Sequence, residues 1–308
     1  MTASATAFAP GSLSNLGPGF DALGLAISGV GDRVTARRTD APGVTVARID
    51  GADGLPLDAA RNTAARAAAW VLRESGVGGG LSLAIEKGIP LGSGVGGSAA
   101  SAVAGAVAAN AALGTPFAKA DLIAAALDGE GAASGAPHGD NVLPSLMGGL
   151  VLVDPADAHR WRRIETPPLP PLVVVLPDVR VLTRDARAVL PTGVSLGDAS
   201  AQAAGLAFLL DALRAGDWAE AGRRLMTDRL AEPHRAPLVP VYEAVTRAAL
   251  AAGAAGVCLS GSGPAIVALA PDASPSVLDA MREAAGPGAR AWVADVERDG
   301  AHVEASGV

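Results

Sequence analysis

The amino-acid sequence predicts an α+β protein built in two lobes. Three observations carry that reading. Strand-like and helix-like patterns interleave along the 308 residues without the steady alternation of a parallel βαβ sheet. A proline-rich run, Thr166-Pro-Pro-Leu-Pro-Pro171, stiffens the chain near its middle and excludes helix, so it divides residues 1–165 from residues 166–308. Upstream of it, Pro90-Leu-Gly-Ser-Gly-Val-Gly-Gly-Ser-Ala-Ala-Ser101 joins a glycine loop to a long alanine-rich helix.

The elements follow in order. Pro10-Gly-Ser-Leu-Ser-Asn15-Leu-Gly-Pro-Gly-Phe-Asp21-Ala-Leu-Gly24 is rich in turn residues and reads either as a plain loop or as a segment presenting Asn15 and Asp21. Strands are expected at 32–38, 44–49, 81–86 and 150–154. Helices are expected at 63–73, 98–113 and 119–127. Beyond the proline run, Leu172-Val-Val-Val-Leu176 reads as a buried strand, 199–215 and 218–228 as helices, and 265–270 as a strand.

Composition narrows the function classes. A hydrophobic content of 50% suffices for a substantial core. The net charge of −7 argues against a nucleic-acid partner. A single cysteine, Cys258, excludes an intramolecular disulfide and suits a reducing compartment; between Val257 and Leu259 it reads as a small buried hydrophobe. No basic residue precedes Arg33, no signal-type apolar region follows Met1, and 98–113 is too short and too weakly apolar to span a bilayer. The expectation is a cytoplasmic protein without a membrane partner.

The glycine loop carries the chemistry. Gly92, Gly94, Gly96 and Gly97 permit positive φ and close backbone approach to a ligand. The helix that follows, with Ser98 in its first turn, offers unpaired N–H groups and a positive dipole end, which suits phosphate; the plainer alternative is a serine-capped surface turn. The only lysines are Lys87 and Lys119, so this is no Walker A loop. Gly92-x-Gly94-x-x-Gly97 has dinucleotide-loop spacing, but Pro90 interrupts the approach and the motif lies far into the chain.

Two further constellations stand out. Glu130-Gly-Ala-Ala-Ser-Gly-Ala-Pro-His138-Gly-Asp-Asn141 sets a carboxylate, an imidazole and an amide in a glycine-rich stretch. No second histidine lies at zinc-ligand spacing, whereas a carboxylate with a serine hydroxyl suits Mg²⁺ among phosphates. Gly253-Ala-Ala-Gly-Val-Cys-Leu-Ser260-Gly-Ser-Gly-Pro264 is a second glycine-serine loop, readable as a site or as a tight turn.

Together these segments resemble the GHMP kinase superfamily, whose phosphate loop reads Pro-x-x-x-Gly-Leu-Gly-Ser-Ser-Ala-Ala and whose C-terminal motif contains Gly-Ser-Gly-Pro. Within it, Asn15-Leu-Gly-Pro-Gly-Phe-Asp21, His138-x-Asp-Asn141-Val, Thr183-Arg-Asp-Ala-Arg187-x-x-Leu-Pro and Glu232-Pro-x-Arg235 are similar to motifs of the homoserine kinases. The resemblance runs from Pro10 to Pro264. It departs at Val95, usually leucine, at Gly97, usually the first of two serines, and at Gly11-Ser-Leu-Ser14, usually Ala-Thr-Ser-Ala.

The resemblance implies a fold and a chemistry. The N-terminal domain, 1–165, would be like the second domain of ribosomal protein S5 and would bind ATP; the C-terminal domain, 166–308, would be ferredoxin-like. ATP would lie on Pro90, Leu91, Gly92, Ser93, Gly94, Val95, Gly96, Gly97, Ser98, Ala99 and Ala100, with Mg²⁺ held by Ser98 and Glu130. L-homoserine would present its carboxylate to Arg187 and Arg235 and its ammonium and hydroxyl end to Asn15, Asp21, His138 and Asn141. Asp21, Ser98 and Glu130 form the implied catalytic set, Asp21 acting either as base or as orienting group. No lysine partners Asp21, unlike a mevalonate-kinase-like site. Asn62 and Lys87 are candidates for the adenine pocket. The product would be O-phospho-L-homoserine for threonine synthesis, and a homodimer is the family expectation. Another small-alcohol kinase, or a silent nucleotide-binding protein on this scaffold, are the alternatives; intact Ser98, Glu130, Asp21 and both arginines disfavour silence.

Overall fold

The computed structural model describes residues 3–134, 138–272 and 274–304. The first group of elements is β1 (Ser4–Asn15), β2 (Gly19–Thr39), β3 (Gly43–Asp50), α1 (Thr63–Ser75), β4 (Gly80–Glu86), α2 (Gly97–Ala112), α3 (Ile123–Ser134), α4 (Gly139–Met147), β5 (Leu150–Asp154) and β6 (Asp157–Ile164). The second is β7 (Leu172–Leu176), α5 (Thr183–Ala188), α6 (Leu196–Ala215), α7 (Trp218–Leu225), α8 (Glu232–Arg235), α9 (Tyr242–Ala251), β8 (Gly256–Leu259), β9 (Ile266–Leu269), α10 (Ser274–Ala285) and β10 (Arg290–Ala294). A short β11 (His302–Val303) then returns to the first sheet and pairs with β1.

The first sheet runs β11-β1-β2-β4-β3, with β5 also on β2 and β6 on β5. Its helices are alanine-rich for a reason. Every residue of α2 from Ala99 to Asn110 is buried, and a Cβ at Gly105 would meet the backbone of Ala64 on α1. Small side chains let α2 lie between the sheet and its neighbouring helices with backbones in close approach.

The second sheet runs β10-β7-β9-β8, all antiparallel. With α5–α9 between β7 and β8, and α10 between β9 and β10, the order is β-α-β-β-α-β, the ferredoxin-like pattern expected. Strand alternation gives it two buried faces. Val173, Val175, Ile266 and Ala268 pack with α9 and α10, while Leu172, Val174, Leu176 and Val267 join the core of the first group. Cys258 is fully buried, as its neighbours suggested, and burial pushes its thiol pKa well up.

Several expectations need correction. Pro10–Gly24 is not a plain loop: β1 and β2 pair from Ser4↔Arg37 to Asn15↔Gly19, with register shifts at Pro10/Gly11 and Ser14/Asn15. Its glycines and prolines imitate a turn, but inter-strand pairing overrides local propensity. The helix expected at 218–228 stops at Leu225, because Asp228 turns to cap the N–H groups of Leu230, Ala231 and Glu232. The helix expected at 119–127 opens with a 3₁₀ turn and extends to Ser134. Strand β6 went unforeseen because arginines protect its exposed edge and break the apolar alternation. Among the described residues no helix is long and apolar enough to cross a membrane.

Candidate active site

Three segments knot together at one cleft. Ser260, fully buried after β8, donates its hydroxyl to the Gly94 carbonyl at 2.6 Å and accepts from the Ser14 amide at 3.3 Å. The Gly261 amide donates to the Ser14 carbonyl at 3.0 Å, Ala265 to Ser93 at 3.1 Å and Ser12 to Val95 at 3.2 Å. The glycine-serine loop that sequence left open is therefore the seam between the two sheets. The cleft along it has a volume of ≈ 460 Å³, the size of a small-molecule site.

One end is the glycine loop. Gly92, Gly94 and Gly96 all have positive φ, and Gly96 caps α2 in the left-handed conformation. The helix N-terminus thus opens onto the cleft with its first N–H groups unpaired within the helix. Ser98, one residue into α2, donates to Glu130 Oε1 of α3 at 3.1 Å. His138, at the N-cap of α4, places Nδ1 3.2 Å from the same oxygen. Burial lowers the His138 pKa, but the contact with Glu130 and the charges of Glu130 and Asp140 outweigh it and leave it raised.

Beneath the loop lies a buried ion pair. Lys87 Nζ binds Asp32 Oδ2 and donates to the Gly97 carbonyl and Ser101 Oγ, each at 2.8 Å. Ser101 donates to Asp32 at 2.7 Å, and the Gly88 and Ile89 amides hold the other carboxylate oxygen at 3.1 and 3.2 Å. A side chain at Gly97 would press on Ile89 Cγ2 at 3.0 Å and approach Lys87 Nζ at 3.6 Å. The glycine at this departure from the usual loop leaves room for Ile89.

The other end is charged. Arg187 on α5 makes a bidentate pair with Asp21. Asn15 accepts from the Asp21 amide at 3.1 Å and donates to the Gly261 carbonyl at 3.3 Å, holding the β1–β2 turn, where Asn15 and Asp21 both have positive φ. Arg235, 4% exposed, donates to the carbonyls of Gly261 at 2.8 Å and Ala186 at 3.2 Å. Burial, then the charge of Arg187, lowers its pKa. Both guanidiniums lie near the Phe20 ring, 5.6 Å from its centroid for Arg187 and 5.2 Å for Arg235.

Helix α4 completes this end. A Cβ on Gly24 would overlap the Asp140 carbonyl, so glycine there lets α4 seat against β2. Asn141 accepts from Ser12 Oγ at 2.9 Å and donates to Asp140 Oδ1 at 3.3 Å. Asp140 is buried; burial and then the charge of Asp21 push its pKa up to about 6, against the pull of His138 and Arg187.

The comparisons with known proteins fit this geometry. Residues 62–149 match the GHMP kinases N terminal domain and residues 209–287 the GHMP kinases C terminal domain. A homoserine kinase of Xylella fastidiosa (strain 9a5c) is 43% identical over 97% of this chain and 94% of its own. One from Pyrococcus furiosus is 42% identical over 94% and 97%. The crystal structure of homoserine kinase from Cytophaga hutchinsonii superposes with a TM-score of 0.94 at 38% identity, covering 99% of this chain and 98% of that one. The chain belongs to the homoserine kinase family. It is a kinase with the two-domain GHMP fold, and its family uses ATP.

Most residues expected of a homoserine kinase converge here. Asn15, Asp21, Ser98, Glu130, His138, Asn141, Arg187 and Arg235 all line the cleft, as do Pro90–Gly94 and Gly96–Ser98. Val95, Ala99 and Ala100 are fully buried and face the core instead. Asn62 and Lys87 also line the cleft, but their polar atoms are committed elsewhere. Asn62 caps α1 through Ala65, and Lys87 serves the ion pair. Sequence reasoning missed Asp140, Asp32, Ser101 and Ser260 as site-building groups. Asp140 stood inside the His138-x-Asp-Asn141 motif and Ser260 inside the second loop; nothing in the local sequence pointed to Asp32.

Proposed function

We propose that this chain transfers the terminal phosphoryl group of ATP to the side-chain hydroxyl of L-homoserine, giving O-phospho-L-homoserine for threonine synthesis in the cytoplasm. The observation that carries the reading is the pairing of opposite charges at one end of a cleft whose other end is a glycine loop on a helix N-terminus. A zwitterionic amino acid needs a cation for its carboxylate and an anion for its ammonium a few ångströms apart. Arg187 and Arg235 supply the first, Asp21 and Asp140 the second.

The donor set at the loop suits Mg²⁺. A serine hydroxyl and a carboxylate 3.1 Å apart are hard oxygen ligands, and Mg²⁺ among phosphates needs few from the protein. Ser98 and Glu130 would hold it. Bound MgATP supplies the phosphoryl group with its charge partly neutralised, so positioning and electrostatics dominate and no strong base is required. The first N–H groups of α2 would hold the phosphates, His138 would orient Glu130, and Asn141 with Asp21 would orient the amino-alcohol end. In the same reading, residues 1–165 carry the nucleotide loop, and residues 166–308 bring Arg187 and Arg235 across the cleft.

The test is ADP release with ATP and Mg²⁺ against L-homoserine, mevalonate, galactose and shikimate. Turnover on homoserine is expected. Turnover on another alcohol and none on homoserine would replace the substrate; ATP binding without turnover on any of the four would make the chain a silent scaffold.

A further inference from the structure

The glycine loop contains no lysine, and its nearest one, Lys87, is spent on Asp32 beneath it. A loop that holds phosphates on backbone N–H groups alone leaves much of their charge unmatched. The remaining cations of the cleft are Arg61, Arg180, Arg184, Arg187 and Arg235. Arg187 is paired with Asp21, Arg184 with Asp185, and Arg235 donates to two carbonyls. Among the described residues, Arg61 and Arg180 make no ion pair. Of these two, Arg180 is the one that packs on the loop.

The packing is close. A Cβ built on Gly92 would lie 2.9 Å from Arg180 Cγ and 3.4 Å from Arg180 Nε. Gly92, with φ of +65°, leaves that space empty, so the arginine stem runs directly over the loop backbone. Its segment is tethered from both sides: the Val181 amide donates to the Gly92 carbonyl at 3.4 Å, and the Val181 side chain is buried in the core of the second sheet. Arg180 itself is exposed and lines the cleft.

We propose that Arg180 is a phosphate-binding residue, a guanidinium brought from the second domain to the polyphosphate held over Gly92–Ser98, supplying the cation that the loop itself lacks. This rests on the reading of that loop as the ATP site. An arginine there matches phosphate oxygens with a planar fork and ties nucleotide binding to the alignment of the two domains.

The test is titration calorimetry of the whole chain and its Arg180→Ala and Arg180→Lys variants with ATP, ADP and AMP, beside steady-state KM values. Arg180→Ala should weaken ATP and ADP about tenfold or more, as expected for a charged hydrogen bond to phosphate, and leave AMP and the homoserine KM within about twofold. Arg180→Lys should recover part of the loss, and the unfolding midpoint of both variants should match the parent. Equal affinity of parent and Arg180→Ala for ATP and ADP, or an equal loss for AMP, overturns the assignment. If the parent binds neither ATP nor ADP, the reading of the loop falls, and the assignment with it.

Discussion

Arg187 grips the Asp21 carboxylate through two parallel hydrogen bonds, 2.8 Å from Nη1 and 3.0 Å from Nη2. The two residues serve opposite ends of the proposed substrate, yet here they satisfy each other. The pair sits at the cleft wall with side chains 39% and 26% exposed, so opening it for a zwitterion costs little. An amino acid can enter by exchanging one bidentate pair for two new ones, its carboxylate on the arginines and its ammonium on the aspartate.

This pair and the Asn15 contact to its amide fix Asp21 in place, and in the proposed reaction it orients the substrate. Asp21→Asn should raise the homoserine KM roughly 10–100-fold, the worth of one charged hydrogen bond, with ATP KM little changed. Initial-rate kinetics decide it. A fall in kcat at constant KM would instead make Asp21 the acceptor of the hydroxyl proton.

Glu130 is buried and shared by Ser98 and His138. If it holds Mg²⁺, Glu130→Gln should increase the Mg²⁺ concentration for half-maximal rate by about tenfold or more. A Mg²⁺ titration at saturating ATP reads this directly, and an unshifted midpoint assigns Glu130 to packing alone.

Lys87 and Asp32 carry opposite charges with side chains 2% and 0% exposed. Lys87→Met should cost about 3–5 kcal/mol of folding stability, because it strands a buried carboxylate. The double variant Lys87→Met/Asp32→Leu should lose less than Lys87→Met. Urea unfolding distinguishes the two, and a double loss larger than the single one would contradict this account.

Glu232 accepts hydrogen bonds from the Tyr242 hydroxyl and, at 2.7 Å, from the Leu259 amide one residue before Ser260. Burial raises its pKa from 4.5 to about 7, against the pull of those two hydrogen bonds. Across that window the unfolded chain releases a proton that the folded chain keeps, so its contribution to stability falls as pH rises. Denaturant unfolding at pH 5 and pH 7.5 should show this slope in the parent and a flatter one in Glu232→Gln. Equal slopes would place the Glu232 titration outside the window.

The cleft residues were legible because their motifs are local. A glycine loop ahead of an alanine-rich helix announces an anion site through backbone freedom and helix polarity, a serine and a carboxylate suit a hard cation, and the resemblance of the flanking motifs to a known family implied the amino-acid substrate. The buried strand 172–176 was equally plain, since a short valine-rich run between Pro171 and Pro177 is too short for a helix. The β1–β2 ribbon was not, because glycine, proline and serine hide a strand whose partner only the fold supplies.

By itself, the sequence determined which side chains the chemistry has available, since their identity and order do not depend on the fold. Tertiary structure alone decided who touches whom. It paired Arg187 with Asp21 across 166 residues, sank Lys87 onto Asp32, and made Ser260 the pin between two sheets. Such contacts join residues far apart in the chain, and short-range pattern carries no record of distances that only the packed core fixes.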